Sequence, residues 1–133
     1  MRKLFPRGQK GETIIEFAMV LPILLLVLFG ITEFGRAIMV SNILSSASRE
    51  GARLFITSSS PGPTETMARI DTVLVAARLK LASRSITIDT TSLSDCVKVT
   101  VTYDFQVLSG KILDFLGPRI WQLKGTTVMR REL

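Results

Sequence analysis

The chain has 133 residues, a formal net charge of +6 and 47% hydrophobic residues, and its length suggests one domain. It contains one cysteine and no histidine. Composition therefore excludes an intramolecular disulfide, a Cys/His zinc site and a histidine-based catalytic triad. Four cations lie within the first ten residues, directly before a long apolar run. Cations in that position orient membrane segments, so the positive charge does not by itself indicate a nucleic-acid partner.

The apolar run extends from Phe17 to Thr32 and contains no charged residue. A run of this kind fits a signal-peptide core, a membrane anchor or a buried core helix. No pattern of small residues suitable for signal cleavage follows it, which argues against an ordinary secretory signal. The run has about 16 residues, fewer than the roughly 20 that span a bilayer. Extension through Val40 supplies the length if Glu33 and Arg36 lie near the far interface, where these i,i+3 neighbours could pair.

The helical apolar period continues beyond this run to Phe55 and predicts one helix over residues 12–56. The small residues Ala47 and Gly51 on the apolar stripe allow another element to approach closely. The opposite side carries polar residues, including Ser48 and Arg53, which suit water or a polar partner. A helix of this length needs a membrane or a bundle to support it.

Residues 57–64, with the sequence TSSSPGPT, predict a hinge that ends the first helix. Thr64 is expected to cap a second helix that has Glu65 in its first turn. Its apolar stripe is predicted to consist of Met67, Ile70, Leu74, Ala77 and Leu81, with Lys80 and Arg84 near its C-terminal end.

Alternating apolar and polar residues after Ser83 predict strands. A short strand is expected around Ile86 and Ile88, a longer one over residues 97–107, and a last one over residues 121–131, broken by Gly125. A helical turn is expected at Lys111–Leu116. Cys96 is expected to be a small, half-buried residue beside a strand rather than a nucleophile. The predicted fold class is α+β: a long N-terminal transmembrane helix continuing into a small head with a second helix and two to four antiparallel strands.

Motifs for catalysis or nucleotide binding are absent from the sequence, and its aspartates are scattered without paired spacing. We therefore predict no catalytic residue, metal site or cofactor. Glu16 is the exception that needs an explanation, because an isolated acid at the start of an apolar run is costly in lipid. It lies five residues after Gly11, where the basic leader ends, and Pro22 follows within the apolar helix.

These features resemble a type IV prepilin N-terminus, in which a short basic leader ends in glycine and an apolar helix follows with glutamate at the fifth mature position. More narrowly, the chain resembles the TadE-like minor pilins of tight-adherence (Tad or Flp) pilus systems, and the segments that carry this resemblance are EFAMVLPILLLVLFGITEFGRA and the later SASREGARL. The similarity is dense from Gly11 to Leu54. It implies a pilin-like division into leader 1–11, transmembrane and assembly helix 12–56, hinge 57–64 and extracytoplasmic head 65–133.

The resemblance implies that a prepilin peptidase cuts between Gly11 and Glu12 on the cytoplasmic side of the membrane. Cleavage after Gly8 would place Thr13 at the fifth position of the mature chain, whereas cleavage after Gly11 places Glu16 at that position. In pilin-like assemblies this glutamate is thought to meet the N-terminal amine of a neighbouring subunit. Assembly is accordingly assigned to Glu16 and Phe17, with Pro22 as a site where the helix could bend or loosen.

The expected partners are the peptidase, other pilins or minor pilins, inner-membrane pilus assembly proteins and membrane lipid, without nucleic acid. The expected location is the inner membrane, with the N-terminus inside, the C-terminus outside and incorporation into a pilus as a possibility. The alternative is an uncleaved, single-pass membrane-tethered binding module of the cell envelope. A tethered enzyme has little support in the sequence.

Overall fold

The computed structural model describes residues 9–57, 62–90, 96–107 and 120–130. It contains helices α1 (Gln9–Thr57) and α2 (Pro63–Ala76), a short 3-10 helix (Leu81–Ser83), and strands β1 (Arg84–Asp89), β2 (Cys96–Gln106) and β3 (Ile120–Arg130). This confirms the predicted α+β class, with a long N-terminal helix, a second helix and a small antiparallel sheet. Most of the predicted leader, residues 58–61 of the predicted hinge and the helical turn expected at Lys111–Leu116 lie outside the described residues.

Helix α1 has 49 residues and is therefore about 70 Å long at about 1.5 Å per residue. Every residue from Gly11 to Thr32 is exposed. The helix is long and apolar enough to cross a membrane, and none of its membrane-length window is buried within the protein. A buried core helix would hide such residues, so the exposed apolar surface indicates a single-pass membrane protein. Pro22 lies inside the helix without ending it.

The C-terminal half of α1 forms the centre of the head. Its small and aliphatic residues pack against α2 and one face of the sheet, and α2 contributes Ile70 and Leu74. The fully or nearly buried hydrophobic residues of this core are Val40, Leu44, Ala47, Ala52, Ile70, Leu74, Val97, Val99, Val101, Tyr103 and Phe105. The same helix is thus exposed in its first half and becomes a core element in its second half.

The sheet has the order β1-β2-β3, and both pairs of neighbours are antiparallel. In β2, buried residues alternate with more exposed ones along the strand, as the sequence predicted. Ile86 pairs with Val101 and Val101 with Gly125, so these positions lie side by side across the sheet. Cys96 is half-buried and is the first residue of β2, which confirms its expected burial and position.

Gly125 does not break the last strand, contrary to the sequence prediction. Strand β3 runs continuously through it, and the backbone of α1 lies directly above it. A Cβ atom at this position would lie 2.5 Å from the carbonyl oxygen of Leu44 and 2.6 Å from the amide nitrogen of Ser45. Glycine is therefore needed for close approach of the helix to the sheet, which is one of the roles of glycine within strands.

Helix α2 ends earlier than the sequence predicted. It stops at Ala76, so Leu81 lies in the 3-10 helix and Arg84 in β1. Its first turn does contain Glu65, but Gly62 rather than Thr64 occupies the N-cap position and provides no side-chain cap. Pro63 explains this start, because its fixed backbone angle suits the first helical position and it has no amide hydrogen to satisfy.

Gly51 of α1 lies where the two helices approach closely, as the sequence predicted. A Cβ atom there would lie 2.6 Å from Cδ1 of Ile70 and 3.4 Å from Cγ2 of Thr66. The buried side of α2 consists of Thr66, Ile70 and Leu74. Met67, which the sequence assigned to the apolar stripe, is exposed.

Ser48 is fully buried, although the sequence placed it on the polar side of α1. Its hydroxyl donates to the carbonyl of Ser45 at 2.9 Å and lies 2.7 Å from the hydroxyl of Thr127 in β3. Since the Ser48 proton is used within the helix, Thr127 donates the bond that joins helix and sheet. This partner satisfies a polar group that would otherwise be costly to bury.

Candidate assembly helix and membrane-proximal surface

The residues that the sequence singled out for processing and assembly all lie on the exposed half of α1. Gly11 and Glu12 lie near its beginning, Glu16 and Phe17 one turn later, and Pro22 further along. Apart from its chain neighbours and the backbone of its own helix, no described residue lies within 4 Å of a Cβ atom built at Gly11, so the described part of the head does not cover the expected cleavage position. Phe17 is 62% exposed. The structure therefore presents these residues to the surroundings and brings none of them to the head.

Glu16 is the acid whose position matters most to the assembly interpretation. Among the residues that the structure describes, it has no salt-bridge partner. Val40, the first buried residue of α1, follows 24 positions later, which corresponds to about 36 Å along the helix axis. A carboxylate within an apolar segment is stabilised by an opposite charge or by water. The buried core of the head, which begins at Val40, is too distant to supply that charge.

Glu33 and Arg36 form the i,i+3 pair that the sequence predicted, with 2.7 Å between Oε2 and Nη1. The guanidinium of Arg36 also lies over the ring of Phe105, 4.9 Å from its centroid. This cation–π contact joins the point where α1 leaves its apolar run to the C-terminal end of β2. The sequence predicted the ion pair because its two residues are close along the helix. It did not predict the contact between Arg36 and Phe105, which depends on the fold.

A cavity of about 260 Å³ lies beside this contact. Its cationic residues are Arg36, Arg78 and Lys80, and Asp104 is its acidic residue; the other lining residues are Val40, Leu79, Ser83, Tyr103, Phe105 and Gln106. The amide of Lys80 donates to the hydroxyl of Tyr103 at 3.4 Å. Tyr103 thereby holds the segment after α2 against the central strand. We call Arg36, Arg78 and Lys80 the cationic pocket.

A wider apolar groove of about 700 Å³ lies between α1 and the last turn of α2. Its lining residues are Gly35, Ile38, Met39, Asn42, Ile43, Ser46, Val73, Ala76 and Ala77. Within the described parts of the chain, no three Asp, Glu or Cys side chains cluster in a way that could hold a metal ion, so neither cavity has a set of metal ligands.

The head is braced by one further ion pair that the sequence did not predict. Arg84 in β1 donates through Nη2 to Oδ2 of Asp71 in α2. Both side chains are about three-quarters buried, which fixes the end of the sheet to the second helix. The sequence placed Arg84 on α2 itself, so this contact could not be found from helical spacing.

Together these features define a membrane-anchored helix that carries a small α+β head at its C-terminal half. Residues 11–53 match the family model described as TadE-like protein, which confirms the resemblance seen in the sequence. The matched segment covers the exposed apolar half of α1 and most of its packed half. No curated protein and no solved structure matches the chain.

Proposed function

We propose that this protein is a non-enzymatic minor pilin or pseudopilin that takes part in the assembly of a Tad/Flp-type adhesive pilus or a related secretion apparatus. The observation that carries the proposal is the exposed apolar half of α1, with its single interior acid, within the TadE-like segment. An apolar surface of that extent requires a membrane or neighbouring helices.

Processing by a prepilin peptidase between Gly11 and Glu12 is the first step of this function. Two observations support this step: the matched segment begins at residue 11, and the described part of the head does not cover Gly11. Cleavage there creates a new N-terminal amine on Glu12. With the leader inside the cell, α1 crosses the inner membrane and the head lies outside.

The second step is pairing between Glu16 and the new amine of a neighbouring subunit. After cleavage, the new amine on Glu12 and the carboxylate of Glu16 are four residues apart on one helix, about 6 Å along its axis, and the described residues of the head supply no cation that pairs with Glu16. Another pilin or minor pilin can bring its amine to this carboxylate inside a helix bundle, where a charge pair is strongly preferred over an unpaired charge. Phe17 and Pro22 would lie in the same bundle.

N-terminal sequencing or intact mass tests the processing step. The full chain is produced with an active prepilin peptidase, with an inactive peptidase and with neither. We expect a mature chain that begins at Glu12 only with the active enzyme. An intact Met1 start in its presence would refute the proposal and favour the uncleaved, membrane-tethered binding module.

A substitution at Glu16 tests the assembly step. Glu16→Ala is expected to be cleaved normally but to be recovered less with partner pilins and to lower the yield of pili. Glu65→Ala is the matched control, because it removes one acid from an exposed position in the first turn of α2. Equal pilus yield for Glu16→Ala, Glu65→Ala and the unaltered protein would show that Glu16 has no role in assembly.

A further inference from the structure

The end of the head that carries the cationic pocket lies at the depth of the lipid headgroups. Arg36 follows Thr32, the last residue of the uncharged run, by four positions. That spacing corresponds to about 6 Å along the helix, whereas the headgroup region on each side of the hydrocarbon is about 5–8 Å thick. Arg36 therefore lies within the headgroup layer when the apolar run lies in the membrane.

The rest of the pocket is held at the same depth by contacts within the head. Phe105 lies beneath the Arg36 guanidinium, and Arg78 and Lys80 line the same cavity. Arg36 is already paired with Glu33. For Arg78 and Lys80, by contrast, the described part of the chain contains no ion-pair partner. The single acid among the lining residues, Asp104, leaves this part of the pocket with an excess of positive charge.

Arg78 occupies a backbone conformation that favours glycine. Its φ of 59° is left-handed, and it follows the C-cap residue of α2, Ala77. Its amide donates to the carbonyl of Val75 at 2.9 Å, and the next amide, of Leu79, donates to that of Leu74 at 2.9 Å. These two bonds form a Schellman motif, in which glycine is the usual residue at this position. Arginine in this conformation carries a steric cost that glycine does not, and it adds a cation to the pocket.

The only tryptophan of the chain lies at the same end of the sheet. Trp121 pairs with Phe105 across β2 and β3, so it is close to the level of Arg36. It is 49% exposed, and its neighbour Ile120 is also exposed. Tryptophan is enriched at membrane–water interfaces, where its ring has one apolar and one polar environment.

We propose that this end of the head docks on the bilayer surface and that Arg78 and Lys80, beside Arg36, bind the phosphate groups of anionic phospholipids. Trp121 and Ile120 enter the interface next to them. This proposal rests on the membrane location of α1 and adds a second contact with the lipid, which fixes the height and tilt of the head above the membrane.

Fluorescence of Trp121 reports this docking directly, because the chain contains no other tryptophan. The full chain is reconstituted into vesicles of phosphatidylcholine alone and into vesicles with equal parts of phosphatidylcholine and phosphatidylglycerol. Each set is prepared with and without brominated lipid, which quenches tryptophan on contact. We expect stronger quenching and a blue-shifted emission in the anionic vesicles, with the difference decreasing at high salt.

Two variants each remove one of the pocket cations that have no ion-pair partner among the described residues, and one variant serves as a control. Each of Arg78→Gly and Lys80→Gln is expected to lower the equilibrium between docked and undocked heads about fivefold in anionic vesicles. Arg78→Gly keeps or raises the thermal midpoint, because glycine suits its left-handed backbone, so lost docking cannot be attributed to unfolding. Arg53→Gln removes an exposed cation about 26 Å further along α1 and should leave the quenching unchanged.

The possible outcomes distinguish failure of the docking proposal from failure of its premise, which is that α1 lies in the membrane. Failure of the chain to insert into vesicles at all would refute the membrane location. Stable insertion with the same Trp121 quenching in both lipid compositions, or with equal quenching for Arg78→Gly and Arg53→Gln, would overturn the docking alone. Inorganic phosphate added at constant ionic strength should not compete with the anionic vesicles. Competition that abolishes the difference would identify free phosphate as the ligand and also overturn the proposal.

Discussion

The substitution Gly125→Ala tests the packing of α1 against the sheet. The new Cβ would lie 2.5 Å from the carbonyl oxygen of Leu44 and 2.6 Å from the amide of Ser45. Both are backbone atoms of a helix and cannot rotate away. To reach an ordinary separation of about 3.5 Å, the helix must move away from β3 by about 1 Å.

Such a shift opens a gap above the core strand. Val99 and Val101 are fully buried, and a gap of 0.5–1 Å forfeits about a quarter to a half of each van der Waals contact across it. Overpacking of a core typically costs about 1–3 kcal/mol, and the rigidity of the contacted backbone places this case near the upper end. Replacing glycine within a strand returns roughly 0.5–1 kcal/mol. The net loss of stability is therefore expected to be about 2 kcal/mol.

Gly51→Ala provides the matched comparison. Its Cβ would lie 2.6 Å from Cδ1 and 2.8 Å from Cγ1 of Ile70, which are side-chain atoms that can move. Alanine also favours the helix by about 1 kcal/mol over glycine. The cost and the gain nearly cancel, so the change in stability is expected to be within about 1 kcal/mol.

Thermal unfolding of the full chain in detergent, followed by Trp121 fluorescence, measures both variants. For a head of this size, 2 kcal/mol lowers the midpoint by roughly 8–16 °C. Gly125→Ala should show this decrease, and Gly51→Ala should remain near the unaltered protein. Equal midpoints for the two variants, or a larger decrease for Gly51→Ala, would refute the inference that the backbone of α1 rests on Gly125.

Two further predictions concern the polar contacts of the head. Ser48→Ala leaves the hydroxyl of Thr127 without its 2.7 Å partner and should lower the free energy of unfolding, measured by chemical denaturation, by about 1–2 kcal/mol. In a double-mutant cycle, Thr127→Val should cost less in the Ser48→Ala background than in the unaltered protein. Strictly additive losses would contradict the hydrogen bond. Arg84→Met removes the partner of a mostly buried Asp71, one of whose oxygens already has no partner among the described residues, and should cost about 1–2 kcal/mol. The control Arg53→Met, at an exposed position, should change the stability by less than about 0.5 kcal/mol, and an equal loss for both variants would argue against the ion pair.

Local periodicity was sufficient to predict the elements that dominate the fold. The apolar period of α1 predicted residues 12–56, and the helix extends over Gln9–Thr57. The alternation from Val97 onward predicted β2, whose buried residues do face the helices. In both cases the pattern is long, and its period of 3.6 or 2 residues distinguishes a helix from a strand.

The wrong predictions have causes that lie far apart in the sequence or depend on an unusual residue. Gly125 appeared to break a strand because the helix that requires it is about eighty positions away. Ser48 appeared to face water because its partner, Thr127, is equally distant. The end of α2 was missed because Arg78, rather than glycine, occupies the left-handed position after the helix, while Ala77 and Leu81 continue the helical spacing by coincidence.

The two candidate sites, Glu16 and the cationic pocket, also differ in whether the sequence alone could reveal them. Glu16 stood out in the sequence because an isolated acid at the start of an apolar run is conspicuous without any knowledge of the fold. The cationic pocket did not, since Arg36, Arg78 and Lys80 come from two separate segments that only packing brings together. The ion pair between Glu33 and Arg36 was the only contact near the cationic pocket that the sequence predicted.

Because α1 is both the apolar segment and the centre of the head, the part of the helix beyond Pro22 moves together with the head. The helix is continuous from Gln9 to Thr57, and the first residues after the apolar run already contact the sheet through Arg36 and Phe105. No linker lies between the exposed half and the core formed by Val40 and Leu44. A rotation or tilt of the helix beyond Pro22 is therefore transmitted to the head, whereas a movement imposed at Glu16 must first pass Pro22, where the helix has lost a backbone hydrogen bond. A contact between the head and the headgroups would restrict that same movement from the other end of the apolar run.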